Sequence, residues 1–398
     1  MSEKSCLFPT YARFPITFVK GEGSRLWDDR GNEYLDMMSG LAVTNLGHAP
    51  ESVKQKVKEQ LDQLWHVSNL FTIPNQEKLA SLLTDISCAD AVFFCNSGAE
   101  ANEAAIKLAR RYKQKILDQD KYEIITFKQS FHGRTLATLT ATGQEKVQDG
   151  FLPLPEGFVY AEYNNSADVE KLINEKTCAV MLEMVQGEGG VMPADPTFVK
   201  EVSELCKKHD LLLIVDEIQT GMGRTGKWFA YEHYGIEPDI ISVAKGLGSG
   251  LPIGAMLGKE KLAEAFTPGN HATTFGGNPV ITAASIATIE EMTNLKLPQR
   301  ALELGDWMIT QFSERLKNNS IVKEVRGKGL MIGIECTHPV ADLIKAVHQE
   351  GVLVVGAGPN VIRLLPNLLV QKEDLQKAVD VICTILEEHK SAWKETVQ

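Results

Sequence analysis

Two short apolar runs in this chain each end in charged residues. Residues 211–215 read Leu-Leu-Leu-Ile-Val and are followed by Asp216 and Glu217, and residues 240–244 are followed by Lys245. Continuous apolar runs of this length are typical of strands buried on both faces of a parallel sheet. Because ligands bind at the carboxyl ends of strands in open α/β sheets, the sequence predicts an acid and a lysine together at a ligand site.

An acid beside a lysine suits one cofactor in particular. Pyridoxal phosphate needs a lysine that binds its aldehyde carbon and a carboxylate beside its pyridinium nitrogen. Either residue alone is more often an ordinary strand end or a solvated loop residue, since single motif matches misfire often. The pair, followed after the acid by Gly221, Gly223 and Gly226, favours the cofactor.

A phosphate group would also need a cradle, and two stretches could provide it. Ser97 and Gly98 join a predicted strand to a predicted helix over 99–112, so free amides and the helix dipole could bind an anion there. Gly98 would allow close approach. An ordinary turn capped by serine remains the alternative. The turn that contains Thr273 and Thr274 brings two hydroxyls that could reach a phosphate.

Four further residues are candidates for contacts with the cofactor ring or the substrate. Phe131 could stack on a flat ring, and Arg134 could bind a carboxylate with two hydrogen bonds. Glu188 lies in a glycine-rich loop, and Arg363 lies in a short apolar strand, where a buried arginine needs an acid or a ligand carboxylate. Taken singly, these residues are as well explained by core packing, a surface ion pair or a solvated loop.

The elements that position these residues alternate between strands and helices. From residue 91 to about 290 the pattern is βαβ, which predicts a mostly parallel sheet flanked by helices. After 297–298 the pattern becomes that of a smaller α+β domain. We therefore predict an α/β protein with an N-terminal segment over 1–50 that packs with the small domain, a large cofactor-binding domain over 51–290, and a small domain over 291–398.

Composition narrows the possible partners. The chain has 398 residues and a formal net charge of −11, which disfavours nucleic acid or an anionic membrane as a partner. No apolar run approaches the length of a membrane span, and no signal peptide is evident. Seven scattered cysteines without a C-x-x-C pair indicate reduced thiols in a cytoplasmic protein, and no metal site is expected.

Several motifs in order resemble one enzyme family over nearly the whole chain. The chain resembles the class III pyridoxal-phosphate aminotransferases, which have the fold-type-I architecture. The motifs that carry the resemblance are Gly21-Glu22-Gly23 with Leu26-Trp27-Asp28, Gly40-Leu41-Ala42-Val43 with Leu46-Gly47-His48, Asn96-Ser97-Gly98-Ala99-Glu100-Ala101-Asn102, Phe131-His132-Gly133-Arg134, Asp216-Glu217-Ile218-Gln219-Thr220-Gly221 and Thr274-Phe275-Gly276-Gly277-Asn278-Pro279.

The resemblance implies a role for each matching residue. Lys245 would bind pyridoxal 5'-phosphate covalently and move the substrate proton, and Asp216 would keep the ring nitrogen protonated. The other implied cofactor-binding residues are Gly98 and Ala99 at the phosphate, Phe131 and Ile218 at the ring faces, Gln219 at the ring hydroxyl, Glu217, and Thr274 from the second subunit of a homodimer with shared active sites.

The resemblance also implies the substrates. Arg134 and Thr273 would bind acetylornithine, and Glu188 with Arg363 would adapt the pocket to acetylornithine and 2-oxoglutarate in turn, in a step of arginine biosynthesis. Ornithine, succinylornithine and γ-aminobutyrate remain open as alternative donors, because members that use them share most of the motifs. An aminomutase of the same fold is a further alternative.

Overall fold

The computed structural model describes residues 6–396, with side chains up to residue 389. Its strands are β1 Phe18–Glu22, β2 Arg25–Asp28, β3 Glu33–Asp36, β4 Ala91–Cys95, β5 Glu123–Phe127, β6 Phe158–Ala161, β7 Thr177–Leu182, β8 Val185–Gln186, β9 Met192–Pro193, β10 Leu212–Asp216, β11 Ile240–Val243, β12 Gly254–Gly258, β13 Val322–Lys328, β14 Met331–Cys336, β15 Val352–Leu353, β16 Val355–Ala357 and β17 Val361–Leu364.

Helices cover the sheets and connect most of the strands. They are α1 Ser39–Ala42, α2 Glu51–Leu61, α3 Pro74–Asp85, α4 Gly98–Arg111, α5 Leu136–Ala141, α6 Glu145–Gln148, α7 Ser166–Leu172, α8 Pro196–Lys208, α9 Pro279–Asn294, α10 Leu297–Leu316, α11 Ala341–Gln349 and α12 Lys372–Thr396. No helix within residues 6–396 is both long and apolar enough to cross a membrane.

The largest sheet has seven strands in the order β4-β12-β11-β10-β7-β5-β6. β12 runs antiparallel to both of its neighbours, and the remaining strand pairs are parallel. Every residue of β7 and β10 is buried, as expected for strands covered by helices on both faces. The predicted α/β fold with a mostly parallel sheet is confirmed, and the carboxyl ends of β4, β5, β7, β10 and β11 lie at one edge.

A second, antiparallel sheet forms the core of the smaller α+β region. Its strands are ordered β13-β14-β17-β16, and α10, α11 and α12 pack beside it. The N-terminal strands form a third sheet in which β15, from the C-terminal region, pairs in parallel with β3. This pairing connects the N-terminal strands with the C-terminal region. The domain boundaries at 50 and 290 stay predictions.

The sequence did not reveal several elements. β12 was not predicted, because its glycines, Gly254 and Gly258, flank only three apolar residues. β6 and the short pair β8 and β9 were not predicted either. The apolar run 352–355 resembles a single strand in the sequence, but it divides between β15 and β16, which belong to different sheets. A run of four valines and leucines gives no signal of such a division.

Candidate active site

The shared edge of the large sheet opens into a cavity of about 480 Å³. Most of the predicted site residues line it. The lining residues from the carboxyl ends of the strands are Ser97, Gly98, Ala99, Phe131, His132, Arg134, Glu183, Glu188, Asp216, Ile218, Gln219 and Lys245. The sheet topology therefore brings together residues that lie up to about 150 positions apart in the sequence.

Asp216 is held at the end of β10 by three hydrogen bonds. Its Oδ2 accepts from Asn102 Nδ2 and from His132 Nδ1, both at 2.8 Å. Its Oδ1 accepts from the backbone N–H of Ile218 at 3.0 Å. The carboxylate is 3% exposed and therefore has a fixed orientation at the cavity wall.

His132 and Asp216 form a buried pair. Burial acts to lower the pKa of His132, but the hydrogen bond and the negative charge of Asp216 outweigh burial and raise this pKa above its ordinary value. The other ring nitrogen, Nε2, has no hydrogen-bond partner among the described residues. The hydrogen bond also fixes the orientation of the Asp216 carboxylate.

Lys245 follows β11 after one residue, Ala244, and opens a short 3₁₀ turn, Lys245–Leu247. Burial lowers the pKa of its ammonium group, and the charge of Arg363 lowers it further. Glu188, Asp216 and Glu183 oppose this effect. The lysine is thus a better base and nucleophile than an exposed lysine would be.

The first turn of α4 lies at the cavity wall. Ser97 caps the helix, and its Oγ accepts from the backbone N–H of Glu100 at 3.2 Å. The amides of Gly98 and Ala99 open the helix, so no earlier helical carbonyl can bond them. A Cβ added to Gly98 would lie 2.8 Å from Ile218, so the close packing here requires glycine. This turn can bind an anion.

Glu188 and Arg363 form an ion pair at the cavity. Arg363 Nη1 donates to Glu188 Oε1 at 2.7 Å and to Gln219 Oε1 at 3.0 Å. Arg363 is 1% exposed, and its Nε has no hydrogen-bond partner among the described residues. Burial works to raise the pKa of Glu188, yet Arg363 holds it below its usual value. The buried arginine therefore has the acid partner that the sequence analysis required.

Four predicted site residues do not line the cavity. Arg363 contacts it through Glu188 and Gln219, and the other three lie elsewhere. The carboxylate of Glu217, on the opposite face of β10 from Asp216, accepts from Tyr231 N at 2.9 Å and from the Thr220 hydroxyl. It is fully buried and does not line the cavity. Thr273 and Thr274 line a second, larger groove of about 1090 Å³. The loss of Glu217 from the site follows from the two-residue period of a strand.

Sequence reasoning assigned no role to Asn102, His132 or Glu183. Asn102 and His132 converge on Asp216, and Glu183 is a buried carboxyl at the cavity wall. Asn102 and His132 belong to motifs that were recognised, so their position inside those motifs was the available signal. Glu183 had a weaker signal, an acid at the end of the buried run 178–182.

Comparison with known proteins agrees with this geometry. Residues 8–386 match the family described as aminotransferase class-III. The protein named acetylornithine aminotransferase from Oceanobacillus iheyensis is 51% identical over 378 residues, 95% of each chain. The protein of the same name from Bacillus subtilis is 52% identical over 388 residues, 97% of this chain and 99% of its own.

Solved structures give the same architecture. An ornithine aminotransferase from Toxoplasma gondii, whose description reports partial occupancy of PLP at its active site, superposes with a TM-score of 0.93 at 30% identity, over 97% of this chain and 94% of its own. An acetylornithine aminotransferase from Elizabethkingia anophelis has a TM-score of 0.86 at 30% identity, over 96% of both chains.

Proposed function

Because this chain belongs to the class-III aminotransferases, we propose that it transfers the terminal amino group of N2-acetyl-L-ornithine to 2-oxoglutarate with pyridoxal 5'-phosphate as cofactor. The products would be N-acetyl-L-glutamate 5-semialdehyde and L-glutamate, in a step of arginine biosynthesis. The observation that carries the proposal is the convergence of Lys245, Asp216 and Glu188 on one cavity, with the buried Arg363 paired to Glu188 behind its wall.

The residues present fit the cofactor. The first turn of α4 suits its phosphate, because Gly98 leaves the backbone bare and the helix dipole favours an anion. Asp216, whose own hydrogen bonds come from Asn102, His132 and Ile218, provides the carboxylate that a pyridinium nitrogen needs. Phe131 and Ile218 provide apolar walls for a flat ring. Among the described residues, no cluster suits a metal ion.

Bound pyridoxal phosphate supplies the electron sink for the carbanion that forms at the substrate carbon. Lys245 Nζ would remove the proton from that carbon and hold it for the second proton transfer, and the lowered pKa of its ammonium group favours the neutral amine that this role needs. Asp216 would lie next to the nitrogen of the cofactor ring, and the hydrogen bonds from His132 and Asn102 hold its carboxylate in place. Asp216, His132 and Asn102 are buried, which keeps water away from the hydrogen bonds among them.

The two substrates differ at the carbon that reacts, which carries a carboxylate in 2-oxoglutarate and only hydrogens beside the amino group in acetylornithine. 2-Oxoglutarate brings a second carboxylate, which Arg363 can bind in place of Glu188. Acetylornithine does not bring that second carboxylate, so Glu188 would stay on Arg363 and neutralise it. Arg134, whose guanidinium carbon is 5.5 Å from the centre of the Phe131 ring, is positioned at the cavity wall to take the carboxylate of acetylornithine.

We also propose a cytoplasmic homodimer with shared active sites. The groove that contains Thr273 and Thr274 adjoins the cavity, because Asn96 lines both. Exposed apolar side chains surround this groove, among them Leu70 at 88% and Phe275 at 62% exposure. A subunit seated there could bring its own Thr274 to its partner's phosphate site. The seven free thiols fit a reducing compartment.

The main alternative is another donor within the family. Ornithine aminotransferases superpose well but at 30% identity, whereas the acetylornithine aminotransferases reach 51 to 52%. Succinylornithine, γ-aminobutyrate and the aminomutase reaction are weaker candidates. The Glu188–Arg363 pair favours transamination with a dicarboxylic acceptor over an aminomutase, because an aminomutase needs no second carboxylated substrate.

The test is a panel of amine donors with the purified protein. Acetylornithine should bleach the absorbance of the bound cofactor, and 2-oxoglutarate should restore it. Acetylornithine should have the highest kcat/KM in a panel with ornithine, succinylornithine and γ-aminobutyrate. A higher kcat/KM for any other donor would overturn the substrate assignment, and an unchanged cofactor spectrum with every donor would overturn transamination.

A further inference from the structure

Glu183 is a buried acid at the cavity that the proposed reaction does not use. It directly follows β7 and is 7% exposed. Its carboxylate bridges two loops, since Oε2 accepts from the backbone N–H of Phe131 at 3.0 Å and Oε1 accepts from that of Gly187 at 3.4 Å. The backbone carbonyl of Glu183 accepts from the Tyr163 hydroxyl at 2.7 Å. This bond holds the backbone of Glu183 in place.

The two backbone amides bonded to Glu183 belong to loops that carry different candidate substrate-binding residues. The Phe131 loop follows β5 and carries Arg134 three positions later. The Gly187 loop carries Glu188, which pairs with the buried Arg363. In the described structure, no lysine or arginine forms an ion pair with Glu183, so its two acceptor atoms serve backbone amides alone.

We propose that Glu183 is a positioning residue whose carboxylate clamps the Phe131 loop to the Gly187 loop and so sets the separation between Arg134 and the Glu188–Arg363 pair. That separation decides whether a substrate with two anionic groups can touch both points at once. The carboxylate can do this because it offers two acceptor oxygens, each directed at a different loop. A neutral amide offers one acceptor and one donor, so it can hold only one of the two backbone N–H groups.

The charges around Glu183 make the clamp sensitive to pH. Burial and, to a smaller extent, the charge of Asp216 raise the pKa of Glu183 to about 7, although the charge of His132 and the amides of Phe131 and Gly187 act to lower it. Lys245 also feels the charge of Glu183, as does the buried Tyr163. A protonated carboxyl has one strong acceptor oxygen, so the clamp is complete above pH 7 and loses one arm as pH falls through that value.

Hydrogen exchange measures the clamp directly. In the full-length protein with its cofactor, peptides covering 128–134 and 184–190 should exchange roughly five- to tenfold faster at pH 6 than at pH 8, after correction for the intrinsic rate, because one amide bond is lost. In Glu183→Gln, at least one of the two segments should exchange faster at pH 8 by a similar factor, and the corrected pH dependence should vanish from both.

Asp239→Asn is the matched control. Asp239 accepts the backbone N–H of Leu213 at 2.9 Å, and it lies at the opposite edge of the same sheet. This change should leave both loop segments as in the wild type. If hydrogen exchange in both loop segments of the wild type is the same at pH 6 and pH 8, the proposed clamp is wrong. This result does not depend on whether Glu183→Gln folds. Unchanged exchange of both segments in a folded Glu183→Gln variant overturns it as well.

The consequence for turnover rests on the proposed function. At pH 8, Glu183→Gln should raise KM for acetylornithine and for 2-oxoglutarate by about tenfold and change kcat much less, because looser loops misplace the substrate. Faster exchange with wild-type KM values for both substrates would overturn the positioning role. A wrong substrate assignment would instead appear in the wild type, whose exchange behaviour does not depend on the substrate.

Discussion

At the scale of single residues, the site depends on how Asp216 is held. A carboxylate in a buried pocket would ordinarily lose its charge, because burial penalises the ionised form. Here three donors, from Asn102, His132 and Ile218, contact its two oxygens. These bonds satisfy both oxygens and fix the orientation of the carboxylate, so a neutral replacement would change the chemistry with little change in shape.

Asp216→Asn should reduce kcat by about 10² or more, because a neutral amide cannot keep the ring nitrogen protonated. The cofactor should still be bound, which its absorbance would report. The control is Asp195→Asn, since Asp195 caps α8 through Thr197 N at 2.8 Å and asparagine is an equally good cap. Activity near that of the wild type would mean that another group faces the nitrogen.

Lys245→Ala should fold and retain weak cofactor binding but lose turnover by about 10³ or more, because no other amine lies at the cavity among the described residues. The measurement is a single-turnover assay with acetylornithine, alongside Lys259→Ala, which removes a surface lysine paired with Glu237 at 2.8 Å. Turnover in Lys245→Ala comparable to that control would contradict the assignment.

Glu217 offers a prediction on stability instead of catalysis. Burial raises its pKa to about 7, from about 4.3 in an unfolded chain. The folded state binds the proton more tightly, so ionisation destabilises it, and this penalty grows from about pH 4.5 and is complete above pH 7. Glu217→Gln removes the titration, so its stability relative to the wild type should rise by about 2 to 3 kcal/mol between pH 5 and pH 8.

Thermal unfolding across that pH range would check the Glu217 prediction. The cofactor absorbance should be the same in variant and wild type, because the carboxylate lies on the far side of β10 from the cavity. A stability difference that does not change with pH would refute the raised pKa. Loss of the cofactor from Glu217→Gln would restore the original expectation that Glu217 belongs to the cofactor site.

At the scale of elements, the sequence predicts the buried strands, but it does not predict which strands are adjacent in the sheet. β7 and β10 are continuous apolar runs, so their character is visible in the sequence. The convergence of Asn102 and His132 on Asp216 was not, because these residues lie 114 and 84 positions away and only strand order decides that they meet. The order β10-β7-β5 is a property of the packed sheet, which no local pattern encodes.

The loop over residues 187–190 carries Glu188, the side chain that should select between the two substrates. Glu188→Ala leaves the buried Arg363 with only the neutral acceptors Gln219 and Gly356. A buried charge without its partner costs about 3 to 5 kcal/mol, so a substrate carboxylate should bind there readily. The preference for glutamate over acetylornithine should rise by one to two orders of magnitude, about 1.4 kcal/mol for each.

Separate half-reactions would test the loop. The cofactor absorbance is followed with acetylornithine alone and then with 2-oxoglutarate alone. Glu162→Ala is the control, because Glu162 also pairs with a cation, Lys128, but at the exposed surface. Equal slowing of both half-reactions, or an acetylornithine half-reaction that is untouched, would make Glu188 an ordinary loop acid.

At the scale of the whole molecule, the proposed dimer predicts which surface the second subunit covers. The groove around Thr273 and Thr274 is larger than the cavity, and both share Asn96. Several large apolar side chains near it are exposed, including Leu70, Phe71 and Phe275. Apolar clusters of this kind mark protein interfaces, and a symmetric dimer would place the same surface of each subunit against the other.

Mixed dimers would show whether the active sites are shared. In the proposed dimer each site takes Lys245 from one subunit and Thr274 from the other. Lys245→Ala and Thr274→Asp should each be inactive, the second because a carboxylate repels the cofactor phosphate.

A dimer purified through two different tags, with one variant on each subunit, carries both changes in one site and none in the other. It should therefore regain about half of the wild-type activity, because two-fold symmetry creates one intact site. Thr310→Asp, on the exposed face of α10, should leave activity unchanged. If Thr274 acts within its own subunit, both sites of the mixed dimer stay damaged, and no activity returns.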